Sequence, residues 1–116
     1  MQISERMVGD VVIVDVSGKI TLGDGGDAIL KDKMRSLIQQ GQKKVLLNLG
    51  EVSYVDSAGL GEIVQAYAAV TKSGGALKLM NTTKRIKDLL SITKLLTVFD
   101  TYDSEAEAIT SFSKPK

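Results

Sequence analysis

Val45-Leu46-Leu47-Asn48-Leu49, then residues 50–56, then Ser57-Ala58-Gly59-Leu60-Gly61-Glu62-Ile63-Val64 is the stretch that decides how this chain is read. The first run is apolar at every position but one. Such a run fits a strand buried on both faces, as at the centre of a parallel sheet. Residues 50–56 read as a short exposed loop, and the helix that follows opens on Ser57. Leu60, Ile63, Val64, Tyr67 and Ala68 recur at helical spacing and form its expected buried stripe. Ser57 falls at or next to the N-cap. The plain reading is a capping hydroxyl bonded to the Gly59 or Leu60 N–H, a role Asp56 fills equally well.

Outward from this unit, strands and helices alternate. Val11-Val12-Ile13-Val14-Asp15-Val16 is rich in β-branched residues and reads as a strand. Gly9-Asp10 before it is a turn, and residues 2–8 complete an N-terminal hairpin. Gly18 breaks the pattern. Gly23-Asp24-Gly25-Gly26-Asp27 is a flexible acidic loop in which Asp24 or Asp27 caps the next helix. That helix carries Leu30, Met34, Leu37 and Ile38 on one face and stops at Gly41. Ser73-Gly74-Gly75 ends the helix begun at Ser57, and Ala76-Leu77-Lys78-Leu79-Met80 is a further short strand. A helix over residues 83–91 shows Ile86, Leu89 and Leu90. Residues 95–99 read as the last strand. Ser104 and Glu107 form a capping box for a final helix packed down by Ile109 and Phe112, and the tail over residues 113–116 is frayed. The order β-β-α-β-α-β-α-β-α implies an α/β fold with a mostly parallel central sheet, one antiparallel N-terminal strand and four helices. No internal repeat or linker divides it, so residues 1–116 read as one domain.

Composition removes whole classes of chemistry. The chain has 116 residues, no histidine and no cysteine. A Ser-His-Asp triad, a zinc site of His or Cys, and thiol chemistry are all excluded. No Asp/Glu pair sits in an apolar setting that would shift its pKa toward catalysis. A serine presented without a base reads as a modified or docked residue, not a nucleophile, so no catalytic residue, metal site or cofactor is expected. Net charge is +1 and aromatics are 4%, which argues against nucleic acid as a partner. No apolar run is long enough to span a bilayer, and the N-terminus is too polar for a signal peptide. The expected location is the cytoplasm. The glycine-rich loop lacks the Gly-Lys-Ser/Thr of a P-loop, and Lys84-Arg85-Ile86-Lys87 reads as a solvated helix face.

In a parallel sheet the functional loops lie beyond the carboxyl ends of the strands. Residues 18–27, 50–56 and 81–83 should therefore converge on one rim with Ser57 at its centre. Gly59 and Gly61 are poor helix formers. They serve either close packing of the helix on the sheet or a smooth surface for a partner. Leu60 between them is either core or contact, its place in the stripe favouring core.

Taken together, the apolar strand, Val52, the run Tyr54-Val55-Asp56-Ser57-Ala58-Gly59-Leu60-Gly61, Gly74-Gly75 and Ile86-Lys87-Asp88-Leu89-Leu90 make the chain resemble the STAS-domain family, in particular the single-domain anti-sigma-factor antagonists. The resemblance covers residues 11–112. It implies that Ser57 is a phosphorylation site. It further implies that Thr21, Gly23, Asp24, Tyr54, Asp56, Ser57, Ala58, Gly59, Leu60 and Gly61 face the partner. That partner would be an anti-sigma factor that is also a serine kinase of the histidine-kinase-like ATPase fold, with a metal-dependent serine phosphatase restoring the active form. The chain departs from the family at Gly18-Lys19-Ile20-Thr21, where Thr21 stands in place of a usual aspartate and Lys19 where an acid is common. The alternative implied role is an accessory subunit of a membrane lipid transporter, docked on its ATPase without itself entering the membrane.

Overall fold

In the computed structural model, residues 1–23, 25–95 and 97–113 are described. Strand β1 (Gln2–Val8) and strand β2 (Val11–Ile20) form the hairpin, followed by helix α1 (Gly26–Gln39), strand β3 (Lys44–Val55), helix α2 (Ser57–Lys72) and strand β4 (Ala76–Met80). Helix α3 (Lys84–Ile92), strand β5 (Thr101–Tyr102) and helix α4 (Glu105–Ser113) complete the expected order. The strands lie in the sheet in chain order, β1-β2-β3-β4-β5. β1 is antiparallel to β2, and every other pair is parallel.

The sheet has two unlike faces. Val12, Val14, Leu47, Leu49 and Leu79 meet Leu30, Leu37, Ile63, Val70, Ile86 and Leu90 from α1, α2 and α3 in the main core. On the other face Val11, Ile13, Leu46 and Met80 meet only α4, through Ala108, Ile109 and Phe112. Each fully buried aliphatic side chain contributes about 1.5–3 kcal/mol. The first half of β3 thus feeds two cores, Val45, Leu47 and Leu49 one and Leu46 the other, which is why residues 45–49 are apolar at all positions but one.

Several expectations are corrected. Residues 50–56 are not a loop: β3 runs on to Val55, because Val52 and Val55 are buried in the main core and Gly18, Lys19 and Ile20 pair with Val52, Tyr54 and Val55. β2 likewise passes through Gly18, whose φ of +89° accompanies register shifts between Asp15 and Ser17 and between Gly18 and Lys19. Pairing of β3 with β4 stops at Asn48–Met80. The upper ends of β2 and β3 therefore rise past β4 as a two-stranded arm.

In α2 the buried stripe is Leu60, Ile63, Ala66 and Val70, while Ala68 is exposed. The helical period carries Ile63 on to Ala66 and Val70, not to Ala68. Leu96 lies outside the described residues, and none of the described residues 95 and 97–99 is in the predicted strand. Phe99 instead enters the core from a bend and packs edge-on against Tyr67, ring centroids 5.1 Å apart, so its apolar character comes from plugging and not from pairing. The helix α1 begins at Gly25 with φ +71° and no side-chain cap; Asp27 lies in its first turn, and Asp24 is outside the described residues. Ser104 Oγ does accept the Glu107 N–H at the start of α4. The expected fraying concerns residues 113–116, of which 114–116 are not described.

Candidate functional site

The arm leads directly into α2, and its tip is organised by Asp56. This residue, with extended backbone, is the N-cap of α2. Its Oδ1 accepts the Gly59 N–H at 2.8 Å, and its Oδ2 accepts the Leu22 N–H at 3.1 Å. The backbone N–H of Asp56 reaches the Ile20 carbonyl at 3.4 Å. One carboxylate thus caps a helix and pins the loop after β2. The Gly59 N–H holds the Asp56 carboxyl below the ordinary carboxylate range, with the Leu22 and Ala58 N–H groups adding to it against a smaller opposing desolvation. Ser57 is not the cap. Its predicted acceptor role toward Gly59 is taken by Asp56, which leaves Ser57 as the exposed first residue of the helix.

The two glycines prove to be different. A Cβ on Gly59 would lie 1.9 Å from the Ile20 carbonyl oxygen, so only glycine lets α2 seat against the end of β2. A Cβ on Gly61 would meet nothing within 4 Å. Leu60 is core, 8% exposed and packed in the main cluster. Ala58 is half-buried.

The three predicted segments touch one another, at two levels of the arm. Residues 18–23 join Asp56 through the bonds above. Asn81, in the left-handed region at φ 57°, donates to Asn48 Oδ1 at 3.2 Å, and a Cβ on Gly50 would press on the Asn81 side chain at 3.2 Å. Arg85, in the first turn of α3, stacks on Tyr54 with its guanidinium carbon 4.2 Å from the ring centroid. Tyr54 is 38% exposed. Gly23 is exposed, Thr21 is buried at 8% exposure, and Asp24 lies outside the described residues. A buried hydroxyl is a poor substrate for a modifying enzyme, which separates Thr21 from Ser57.

Sequence reasoning missed three residues. Leu22, 69% exposed beside Asp56, carried a signal: a large apolar residue outside any helical or strand period. Arg85 was read as part of a solvated face, and nothing local to α3 announces that Tyr54 lies beneath it. Lys78 is buried on the α4 face, donating to Ser111 Oγ at 2.8 Å with the Phe112 ring 4.8 Å away; its alternation within β4 was the available clue. Among the described residues no cluster of three or more His, Cys, Asp or Glu is placed to hold a metal ion, and no helix is long and apolar enough to cross a membrane.

Comparison with known proteins bears on the family and the fold. The family model described as the STAS domain matches residues 2–108. The anti-sigma-B factor antagonist of Bacillus subtilis is 37% identical over 87 residues, 75% of this chain and 77% of that protein. A crystal structure of an anti-sigma factor antagonist from Thermotoga maritima superposes with a TM-score of 0.88 at 26% identity, covering 97% of this chain and 95% of that one. The phosphorylated form of the Bacillus cell fate determinant SpoIIAA shares the fold, with a TM-score of 0.75 at 20% identity over 95% of this chain and 98% of the other.

Proposed function

This chain belongs to the STAS family, and from that premise we propose that it is an anti-sigma-factor antagonist, active when unphosphorylated and switched off by phosphorylation of Ser57. The observation that carries the reading is the exposure of Ser57 directly after a carboxylate that already accepts the Gly59 N–H. A phosphate on Ser57 adds about −1.5 to −2 charge. The Gly59 N–H that would have neutralised part of it is engaged by Asp56. Two anionic groups would then share one helix start, and their charge would be directed outward at whatever docks there.

The fold need not change for the switch to work. Ser57 makes no cap bond, and the bonds that seat α2 belong to Asp56 and Gly59. The partner implied is an anti-sigma factor that is also a serine kinase of the histidine-kinase-like ATPase fold, with a metal-dependent serine phosphatase reversing the modification. The chain is in this reading a substrate and ligand and not a catalyst, working in the cytoplasm without nucleic acid or direct insertion in a membrane.

Two measurements test it. Pull-down with the purified chain and intact-mass analysis should return such an ATPase and a one-phosphate mass increase that Ser57→Ala abolishes. Ser57→Asp should weaken binding to that ATPase by about 3 kcal/mol, roughly a hundredfold in Kd, while circular dichroism stays unchanged. Equal affinity of Ser57→Asp and wild type would overturn the switch. Recovery of a transporter ATPase with no phosphate on Ser57 would replace it with the accessory-subunit role.

A further inference from the structure

Lys19 and Tyr54 are register partners on the arm, at a level β4 does not reach. Register partners on adjacent strands present their side chains on one face, about 5 Å apart. Arg85 completes the row by stacking on the far partner's ring. Lys19, Lys84 and Arg85 are exposed, and among the described residues no carboxylate lies within ion-pair distance of any of them. Other cations of the molecule are differently placed: Arg6 is held by Asp15 and Glu105, Lys44 by Asp10, and Lys87, in the same helix as Arg85, by Asp103 at 3.7 Å.

Among the described residues, the nearby acids do not cancel this row. The Asp56 oxygens are occupied by backbone N–H groups. Glu51 sits three residues back along β3, about 10 Å away, and Asp88 lies a turn beyond Lys84 on α3. A guanidinium held over an aromatic ring by cation–π attraction keeps N–H groups that can donate to a carboxylate. Arg85 therefore offers N–H donors to an acid that the described residues do not provide.

We propose that Lys19, Tyr54 and Arg85 form a cationic docking patch that receives an acidic surface of the anti-sigma partner, next to the helix start carrying Ser57. The inference rests on the partner-switch reading and adds the partner's chemistry to it. Tyr54 and Ser57 are three residues apart, about 10 Å in extended chain, which is comparable with the Debye length of about 8 Å in physiological salt. A phosphate on Ser57 would lower the positive potential that the partner reads.

The test titrates wild type, Arg85→Glu, Lys19→Glu and Ser57→Asp against the purified anti-sigma factor recovered with the wild-type chain, at low and at high salt. Arg85→Glu and Lys19→Glu should each weaken binding about tenfold or more at low salt, and the salt dependence of wild type should be steeper than theirs. Both sites are exposed, so melting temperatures should match wild type and rule out misfolding as the cause. Binding of both variants within twofold of wild type, with Ser57→Asp still defective, would refute the patch and leave the switch standing. If wild type itself binds no anti-sigma factor, the functional reading fails and the patch falls with it.

Discussion

The helices α1 and α2 start on the same rim, each entered from a parallel strand, yet their first turns are built differently. α2 opens on an extended Asp56 whose carboxylate accepts the Gly59 N–H, with Gly59 pressed on the Ile20 carbonyl. α1 opens on Gly25 in the left-handed region with no side-chain cap, held by backbone bonds from Gly25 to Leu22 and from Gly26 to Thr21. The second oxygen of Asp56 crosses over to the Leu22 N–H. The rim is thus organised from the α2 side, and the loop before α1 depends on it.

The sharpest way to break this contrast is Gly59→Ala. The new Cβ has no room against the Ile20 backbone, so either α2 or the end of β2 must shift. A loss of about 3 kcal/mol is expected, read as a lowered denaturant midpoint. Stability close to wild type would mean that the close approach of α2 to β2 is unimportant.

Asp56→Asn should have a smaller effect, with a distinctive pH signature. The folded Asp56 carboxyl is lowered, chiefly by the Gly59 N–H. Its stabilisation is therefore fully present above the unfolded carboxyl value, about 3.9, and is lost as pH falls through the lower folded value. In the variant that part of the acid limb should flatten, and amide exchange at Leu22 should quicken along with that at Gly59. Faster exchange at Gly59 alone would show that the loop before α1 does not lean on Asp56.

Gly61→Ala should act in the opposite direction and least. Nothing lies within 4 Å of the added methyl, and alanine replaces glycine within a helix, so a gain of about 0.5–1 kcal/mol is expected in thermal denaturation. If binding of the anti-sigma factor falls at the same time, Gly61 serves the smooth contact surface that its spacing suggests.

Much of the architecture was legible in the sequence. The order of strands and helices follows from period-2 and period-3.6 patterns, which are local properties of the chain, although the last strand lies at Thr101–Tyr102 and not at residues 95–99. The stop at Gly41 with φ +79° and the turn at Gly74 with φ +91° are likewise local, since each depends on one residue's backbone freedom. Ser57 stood out for the same reason: an apolar strand, an aspartate and a helix start identify it without any distant contact.

What the sequence determined by itself was therefore the alternating α/β order, the absence of histidine and cysteine chemistry, and the helix start that carries Ser57. Tertiary structure alone decided the rest. The strand character of residues 50–55 comes from pairing with β2 and burial of Val52 and Val55, while the apolar stretch at residues 95–99 gained no such partner and its Phe99 became a plug. The division of labour between Gly59 and Gly61 depends on where a strand's carbonyl lies, and the stack of Arg85 on Tyr54 joins residues 31 positions apart. The physical reason is common to all of these: caps and periodicities are set by bonds within a few residues, whereas a burial, a collision or a ring stack needs a second segment that only folding brings near.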